Sequence, residues 1–129
     1  MTMLESRVTI PVRWRDLDML GHLNQAVYHE FLEEGRSALF ARLEADEGFS
    51  FVLARVELDY RHEVRRDHGS VDVVARIAAL GRSSITVEND VVLPDGTVAA
   101  TGVSILVAWD ARARGKRVLT DTERAALGG

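Results

Sequence analysis

One long helical pattern followed by four strand patterns in a row restricts the folds open to this chain of 129 residues. Residues 24–45 place apolar side chains along one stripe at helical spacing. Four runs of alternating apolar and polar residues follow, separated by turns, over 52–60, 71–79, 85–91 and 97–109. Consecutive strands without intervening helices pair antiparallel, so the single long helix must cover the apolar face of their sheet.

The remaining patterns complete this outline. An alternating run over about 6–15 predicts a first strand, on which Pro11 favours an edge or a bulge. The long helix is expected to end near 46–48, and Gly35 inside it predicts close packing, since glycine is otherwise unfavourable there. Residues 120–127 predict a short terminal helix. The expected architecture is α+β, in the order β-α-β-β-β-β, as a single domain over 1–129.

Composition excludes several kinds of site. The formal net charge of −4 argues against nucleic-acid binding, which usually needs a basic surface. With no cysteine, the chain has no disulfide and no thiolate nucleophile. The N-terminal residues lack a signal-peptide pattern, and no apolar run is long enough to cross a membrane. These features favour a cytoplasmic location.

A group of polar residues lies where the first strand leads into the helix, within "RDLDMLGHLNQAVYHEFLEEGR" at 15–36. This stretch resembles the motif of the 4-hydroxybenzoyl-CoA thioesterase-like branch of the hotdog-fold superfamily. The most similar group is the long-chain acyl-CoA thioesterases, with their "GHVNNxxYLxFLEEAR" pattern. That pattern is matched at Gly21, His22, Asn24, Tyr28, Phe31, Leu32, Glu33, Glu34 and Arg36. The resemblance continues through "ELDYRHEVRRDHGSV" and "LGRSSITVENDVV" and spans nearly the whole chain.

The resemblance implies a sheet wrapped around one long helix, and hydrolysis of a thioester to a free acid and coenzyme A. That reaction needs an attacking water or carboxylate and donors for the developing oxyanion. By resemblance Asp18 is the catalytic carboxylate, as nucleophile or general base. Gly21 allows close backbone approach, and the Gln25 N–H at the helix start polarises the carbonyl. His22 and Asn24 are candidates for orienting the reacting groups.

Structural roles compete with these catalytic ones. Asp18 can instead stabilise the helix start or form an Asx turn, and Asn24 is a good helix cap. His22 can bond a nearby backbone group. The sequence also departs from some relatives: Trp14 and Gln25 replace a tyrosine and a histidine, and Leu20 replaces an asparagine.

Other charged residues of the stretch are expected to be structural. Asp16 is interpreted as a solvated turn or edge residue. Glu33 and Glu34 are expected on an exposed helix face, where they can pair with Arg36. A metal site built from Asp16 and its neighbours is not expected, and coenzyme A is part of the substrate, so no cofactor is predicted.

Substrate-binding candidates lie further along the chain. Arg82 matches one basic position of a phosphate-contacting cluster in the benzoyl-CoA-type enzyme, and Ser83 and Ser84 are possible donors beside it. Arg61 belongs, with Arg65 and Arg66, to a second basic group that can attract phosphates. Both sets can equally be solvated turn or strand-end residues. Tyr28 is expected to line the substrate site.

The expected partners are an acyl-CoA or acyl-carrier-protein thioester and further copies of the chain. A sheet wrapped around one helix leaves an open edge, which favours a homodimer or homotetramer. Two alternative functions remain open from the sequence. One is a non-catalytic acyl-CoA-binding hotdog protein. The other is a hotdog enoyl-CoA hydratase, although the Asp/His spacing here differs from that class.

Overall fold

The computed structural model describes residues 3–41 and 50–129, which form an antiparallel sheet with one long helix packed against it. The strands are β1 (Glu5–Pro11), β2 (Phe51–Tyr60), β3 (Ser70–Leu80), β4 (Ser84–Val92), β5 (Val98–Asp110) and β6 (Gly115–Lys116). The helices are α1 (Gln25–Phe40) and α2 (Asp121–Ala126), with 3-10 turns at Trp14–Asp16 and Arg66–His68. The strands lie in the order β1-β3-β4-β5-β2, with β6 beside β5. The predicted α+β hotdog architecture is confirmed.

The two faces of the sheet differ in chemistry. On β4, Ile85, Val87, Asn89 and Val91 are buried while the residues between them are half-buried, as the alternation predicts. On the outer face Arg76 reaches both neighbouring carboxylates of β4, which are Glu88 and Asp90. The inner face is therefore the core face, and α1 covers it.

Helix α1 begins where the sequence predicts, with Asn24 as its N-cap, and the described helix ends at Phe40. The predicted continuation to 45 and the predicted stop at 46–48 lie within 42–49, outside the described residues. The helix buries Tyr28, Phe31, Leu32, Gly35, Arg36 and Leu39. The burial of Arg36 is a correction, because its expected place was the polar face, paired with helix carboxylates.

The first strand is shorter than predicted. β1 ends at Pro11, and a 3-10 turn replaces the expected strand residues 14–15. This turn forms because the Asp16 carboxylate accepts the backbone N–H of Arg13 at 2.8 Å. Trp14, which the alternation placed on the apolar face, is 76% exposed.

Strand β2 is an edge strand with an exposed apolar surface. A register shift between Leu53 and Arg55 interrupts its pairing with β5, so the predicted alternation breaks there. Val52 and Leu53 are both exposed, as is Tyr60 at the other end. Its outer edge pairs with none of the described strands.

Gly35 lies where α1 approaches β3 most closely. A Cβ at this position would lie 2.7 Å from Cγ1 of Val73, which confirms the predicted close packing. Gly35→Ala is therefore expected to lower the free energy of unfolding by about 1–2 kcal/mol, despite the better helix propensity of alanine. Urea unfolding measures this loss. Val73→Ala should cost less in the Gly35→Ala background than in the wild type, and a fully additive double variant would contradict the contact.

Candidate functional site

The loop between β1 and α1 is closed by backbone bonds across it. Leu17 and Leu23 form an isolated antiparallel bridge, and the Asp18 N–H donates to the His22 carbonyl at 2.8 Å. Gly21 donates to the Asp18 carbonyl at 3.1 Å with a φ of +77°, a left-handed conformation that favours glycine. The loop therefore holds a fixed shape that places residue 18 at its base.

The Asp18 carboxylate is held by the loop on one oxygen only. Oδ1 accepts the N–H of Leu20 at 2.9 Å and of His22 at 3.2 Å. This is the Asx-turn geometry that the sequence allowed as a structural role. Oδ2 accepts no hydrogen bond from any residue in 3–41 or 50–129, and the side chain is exposed. One oxygen thus orients the carboxylate while the other keeps its lone pairs free.

The start of α1 presents one backbone donor beside this carboxylate. The Asn24 side chain accepts the Ala26 N–H at 2.9 Å, which confirms the predicted cap. The backbone carbonyl of Asn24 accepts the Val27 N–H at 2.9 Å. The Gln25 N–H donates to no group in the described part of the chain. A free N–H at a helix N-terminus, where the macrodipole is positive, suits a developing oxyanion.

A cleft of about 510 Å³ joins these groups. It is lined by Asp18, His22, Leu23, Asn24, Gln25, Tyr28, Tyr60, Arg61, His62, Glu63 and Val64. The Tyr28 and Tyr60 rings meet edge to face, with centroids 5.0 Å apart. Burial, with a smaller contribution from Tyr60, raises the pKa of Tyr28 to about 12, so its hydroxyl stays a neutral hydrogen-bond donor.

His22 belongs to a chain of polar contacts along the cleft. Its Nε2 lies 2.6 Å from Oε2 of Glu63, whose other oxygen lies 2.6 Å from the Arg65 guanidinium. Arg65 also pairs with Asp67 at 2.9 Å. A hydrogen bond from Arg65, opposed by weaker desolvation and helped by His22, lowers the pKa of Glu63. Arg65 is thus neutralised locally and is not the free phosphate-binding cation that a basic cluster would supply.

The structure brings most of the predicted catalytic residues together and leaves out one predicted binding group. Arg61 lies at the cleft, with Nε donating to Thr101 at 3.0 Å. Arg82, Ser83 and Ser84 follow the far end of β3, whose near end pairs with β1 at Pro11. Eleven strand residues separate the two ends, or roughly 35 Å. Within one protomer these residues do not meet Asp18.

Five lining residues were missed as site residues: the polar or aromatic Tyr60, His62 and Glu63, and the buried Leu23 and Val64. Those at and after the end of β2 reach the cleft because the Leu23 N–H donates to the Val64 carbonyl at 2.7 Å, which ties the segment after β2 to the loop. Nothing local in the sequence indicates this bond. The only available signal was the resemblance that includes "ELDYRHEV".

Asp16 is buried, not solvated as expected. It is 2% exposed, and its carboxylate oxygens lie 3.1 and 2.9 Å from the Arg13 Nε and Nη2. Its carbonyl accepts the Asn24 N–H at 2.8 Å. Burial pushes the pKa of Asp16 up, but the hydrogen bonds from the Arg13 side chain and backbone outweigh it and lower the pKa overall. Asp16 therefore braces the turn that precedes Asp18.

Asp16→Asn is expected to lower the free energy of unfolding by about 2 kcal/mol at pH 7, because it leaves a buried polar group facing Arg13 without its charge. A carboxyl whose folded pKa is depressed stabilises the fold above its unfolded pKa, near 4. That contribution is lost as pH falls through the lower, folded pKa. Chemical unfolding from pH 7 to pH 2 should show the two proteins converging below pH 4, and a constant difference would contradict the ion pair.

Residues 3–41 and 50–129 bring no three His, Asp or Glu side chains together in a way that could hold a metal ion. None of the helices described there is long and apolar enough to span a bilayer.

The family is decided by a match over most of the chain. Residues 12–126 match the model of the thioesterase-like superfamily. The chain belongs to this superfamily. None of the curated proteins matches it significantly. The predicted thioester hydrolase is confirmed by the family and by similar solved structures.

Two solved structures illustrate the similarity of this superfamily member to known thioesterases. A Thermus thermophilus thioesterase complexed with coenzyme A and Zn shares 37% identity, with a TM-score of 0.85, over 94% of this chain and 90% of that one. YbaW of Escherichia coli, described as a probable thioesterase, shares 25% identity, with a TM-score of 0.79, over 94% and 95% of the two chains. Each likeness thus extends over more than nine-tenths of this chain.

Proposed function

We propose that this chain hydrolyses acyl-CoA thioesters in the cleft beside Asp18. The observation that carries the proposal is that one cleft is lined by both the Asp18 carboxylate and Gln25. One oxygen of that carboxylate and the N–H of Gln25 have no hydrogen-bond partner in 3–41 or 50–129. These are the base or nucleophile and the oxyanion donor that acyl transfer requires. Coenzyme A as the thiol is supported by the coenzyme A complex of the Thermus thermophilus thioesterase.

The proposed reaction proceeds through a tetrahedral intermediate. As a general base, Asp18 takes a proton from water while the water oxygen bonds to the carbonyl carbon. The carbonyl oxygen becomes an oxyanion that accepts the Gln25 N–H. The intermediate then collapses, the carbon–sulfur bond breaks, and the coenzyme A thiolate leaves and is protonated. As a nucleophile, Asp18 would instead form a mixed anhydride that water hydrolyses in a second step.

A long-chain acyl group is the proposed substrate class. Met19 and Leu20 belong to the Asp18 loop and Trp14 to the 3-10 turn before it, and they are 102%, 78% and 76% exposed. Exposed apolar side chains close in sequence to a polar site favour an interaction surface. Here they would receive the hydrocarbon chain of the acyl group, whereas a short or polar acyl group would leave them uncovered.

The experiment that tests the proposed function is hydrolysis of an acyl-CoA panel from acetyl to palmitoyl, with a thiol reagent to detect free coenzyme A. The expected result is turnover that rises with chain length and is lost with Asp18→Asn. If no acyl-CoA is hydrolysed but acyl-carrier-protein thioesters are, the thiol partner is the carrier protein and not coenzyme A. Absence of turnover with both would overturn the function and leave the non-catalytic binding alternative.

A homodimer formed through β2 is part of the proposal. Antiparallel pairing of two β2 edges would set the Val52 end of one protomer beside the Tyr60 end, and hence the cleft, of the other. Val107 pairs with both Val52 and Ser84, so Ser84 lies two strands in from that edge. The partner would then bring Arg82 and its neighbours to about 15 Å from the cleft, instead of roughly 35 Å.

Val52→Lys is expected to convert this dimer to a monomer, because a lysine on an edge strand opposes strand pairing. Hydrolysis should fall with the dimer fraction. Val98→Lys is the matched control, since both valines are 38% exposed and only Val52 lies on β2. Sedimentation velocity measures the change, and a Val52→Lys variant that sediments like the wild type would contradict the β2 interface.

A further inference from the structure

A second cleft, of about 550 Å³, lies between α1 and β2, and none of the described residues that line it also lines the Asp18 cleft. Its lining consists of Glu33, Arg36, Ser37, Phe40, Ser50, Phe51, Leu53 and Leu106. The volume is within the range of roughly 300–1,000 Å³ that is common for small-molecule sites. Apolar side chains from the helix, the edge strand and β5 therefore surround one buried cation.

The buried cation, Arg36, forms no ion pair with any residue in 3–41 or 50–129. It is 7% exposed, and its Nη1 donates to the Ser104 hydroxyl at 3.0 Å, a neutral acceptor that is itself fully buried. The other guanidinium N–H groups donate to no acceptor in 3–41 or 50–129. Burial lowers the pKa of Arg36, and nearby Glu33 opposes that shift without forming an ion pair. A buried charge in this state is costly unless something pairs with it.

The chemistry of the cleft specifies what that partner would be. A guanidinium with unused N–H groups binds a carboxylate through two parallel hydrogen bonds. The Phe40 and Phe51 rings stack with centroids 5.2 Å apart, and this pair would cover, with Leu53, one side of an apolar tail attached to that carboxylate. Glu33 is exposed in the wall and would repel a second negative charge, which disfavours dianions such as phosphate.

We propose that this second cleft binds an aliphatic monocarboxylate, with the carboxylate on Arg36 and the tail between α1 and β2. Binding neutralises the buried guanidinium and removes apolar wall from water. Hydrolysis of a fatty acyl thioester releases a molecule of this class, so the cleft would bind the product of that reaction. The identity of the ligand as product rests on the proposed function, whereas the binding of a monocarboxylate does not.

The test titrates the intact protein with sodium octanoate and follows assigned backbone amides by NMR. Shifts are expected at Ser37, Phe51 and Leu106, and not at His22 or Asn24. Octan-1-ol, with the same tail and no charge, should bind more weakly. Arg36→Met should weaken octanoate binding by roughly ten- to a hundredfold, the range for a charged hydrogen bond. It should leave octanol binding unchanged.

Two further variants keep the test independent of folding and of turnover. Arg36→Met should unfold at the same temperature as the wild type or higher, because apolar replacement of a buried charge is neutral or stabilising. Ser37→Trp retains the charge, stands on an exposed helix position and should weaken binding by filling the cleft. Asp18→Asn should bind octanoate like the wild type, so failure of the thioesterase assay and failure of this site are separate results.

Several results would overturn the proposal. Equal octanoate affinity in the wild type and Arg36→Met would remove the role of the guanidinium. Shifts confined to His22 and Asn24 would assign the carboxylate to the Asp18 cleft. If Val52→Lys binds octanoate and the wild type does not, a second copy of the chain fills the second cleft in the wild-type dimer.

Discussion

Asp18→Asn is expected to lower kcat for acyl-CoA hydrolysis by about 10²–10⁴-fold, the range for losing a positioned acid–base group. The substitution is selective because an asparagine side chain keeps an Oδ1 that can accept the Leu20 and His22 N–H groups. The loop should therefore stay closed. The substitution removes the negative charge and the basic lone pairs of the second oxygen, Oδ2. No described residue donates a hydrogen bond to that oxygen.

A matched control exists in the turn between β4 and β5. Asp95 accepts the Thr97 N–H at 2.9 Å, in the same i to i+2 geometry as Asp18 and Leu20. Asp95→Asn should leave hydrolysis unchanged, which separates loss of a turn carboxylate from loss of the catalytic one. KM should change little with Asp18→Asn, because the loss is confined to the chemical step. A variant that keeps full kcat would exclude Asp18 as base and nucleophile alike.

Isotope incorporation distinguishes the two roles that remain for Asp18. In a single turnover in H₂¹⁸O, general-base attack places the label only in the released acid. Nucleophilic attack forms an anhydride, and water that attacks its aspartyl carbon leaves ¹⁸O in the protein. Mass spectrometry of the peptide that contains residue 18 reads the outcome directly.

Residue periodicity was sufficient to predict the layers of the fold. The alternation of β4 and the helical stripe of α1 are local properties, and each reports which side of its element faces the core. Asn24 as a cap was predictable for the same reason, since the bond to Ala26 spans two residues. The C-terminal end of β1 was not, because a hydrogen bond from the Arg13 N–H to the Asp16 carboxylate turns the chain earlier than its apolar residues suggest.

The state of the charged residues was harder to predict. Arg36 was expected among helix carboxylates, yet its bond goes to Ser104, 68 residues away. Glu63 meets His22 across 41 residues, through a backbone tie that no pattern encodes. Helical spacing fixes the face of a side chain, but only tertiary packing fixes whether that face meets solvent or another strand.

Function shows the same division between local and distant information. The motif around Asp18 and Gly21 carries its own geometry, because the loop bonds lie within 18–22. The predicted phosphate group at Arg82 belongs to the other end of the sheet and requires a partner protomer to approach the cleft. A resemblance indicates which residues matter in a family and leaves open which copy of the chain supplies them.

Gln25→Pro is expected to lower kcat by about 10²–10³-fold, the range for removing one oxyanion donor. Gln25 is the first residue of α1, and proline is favoured at that position because its N–H has no partner within the helix. Asn24 already has the extended conformation, φ −63° and ψ 135°, that a following proline demands. The substitution therefore deletes one hydrogen-bond donor while the helix start is preserved.

Gln25→Ala keeps the N–H and loses only the side chain, so it separates the backbone donor from the amide group. Its kcat should stay within a few-fold of the wild type, and both variants should unfold at similar temperatures. If Gln25→Ala loses as much activity as Gln25→Pro, the side chain is the important group. If Gln25→Pro keeps full activity in a folded protein, the oxyanion is stabilised elsewhere in the cleft. The Tyr28 hydroxyl, whose pKa burial raises to about 12, is then the donor to remove next, by Tyr28→Phe.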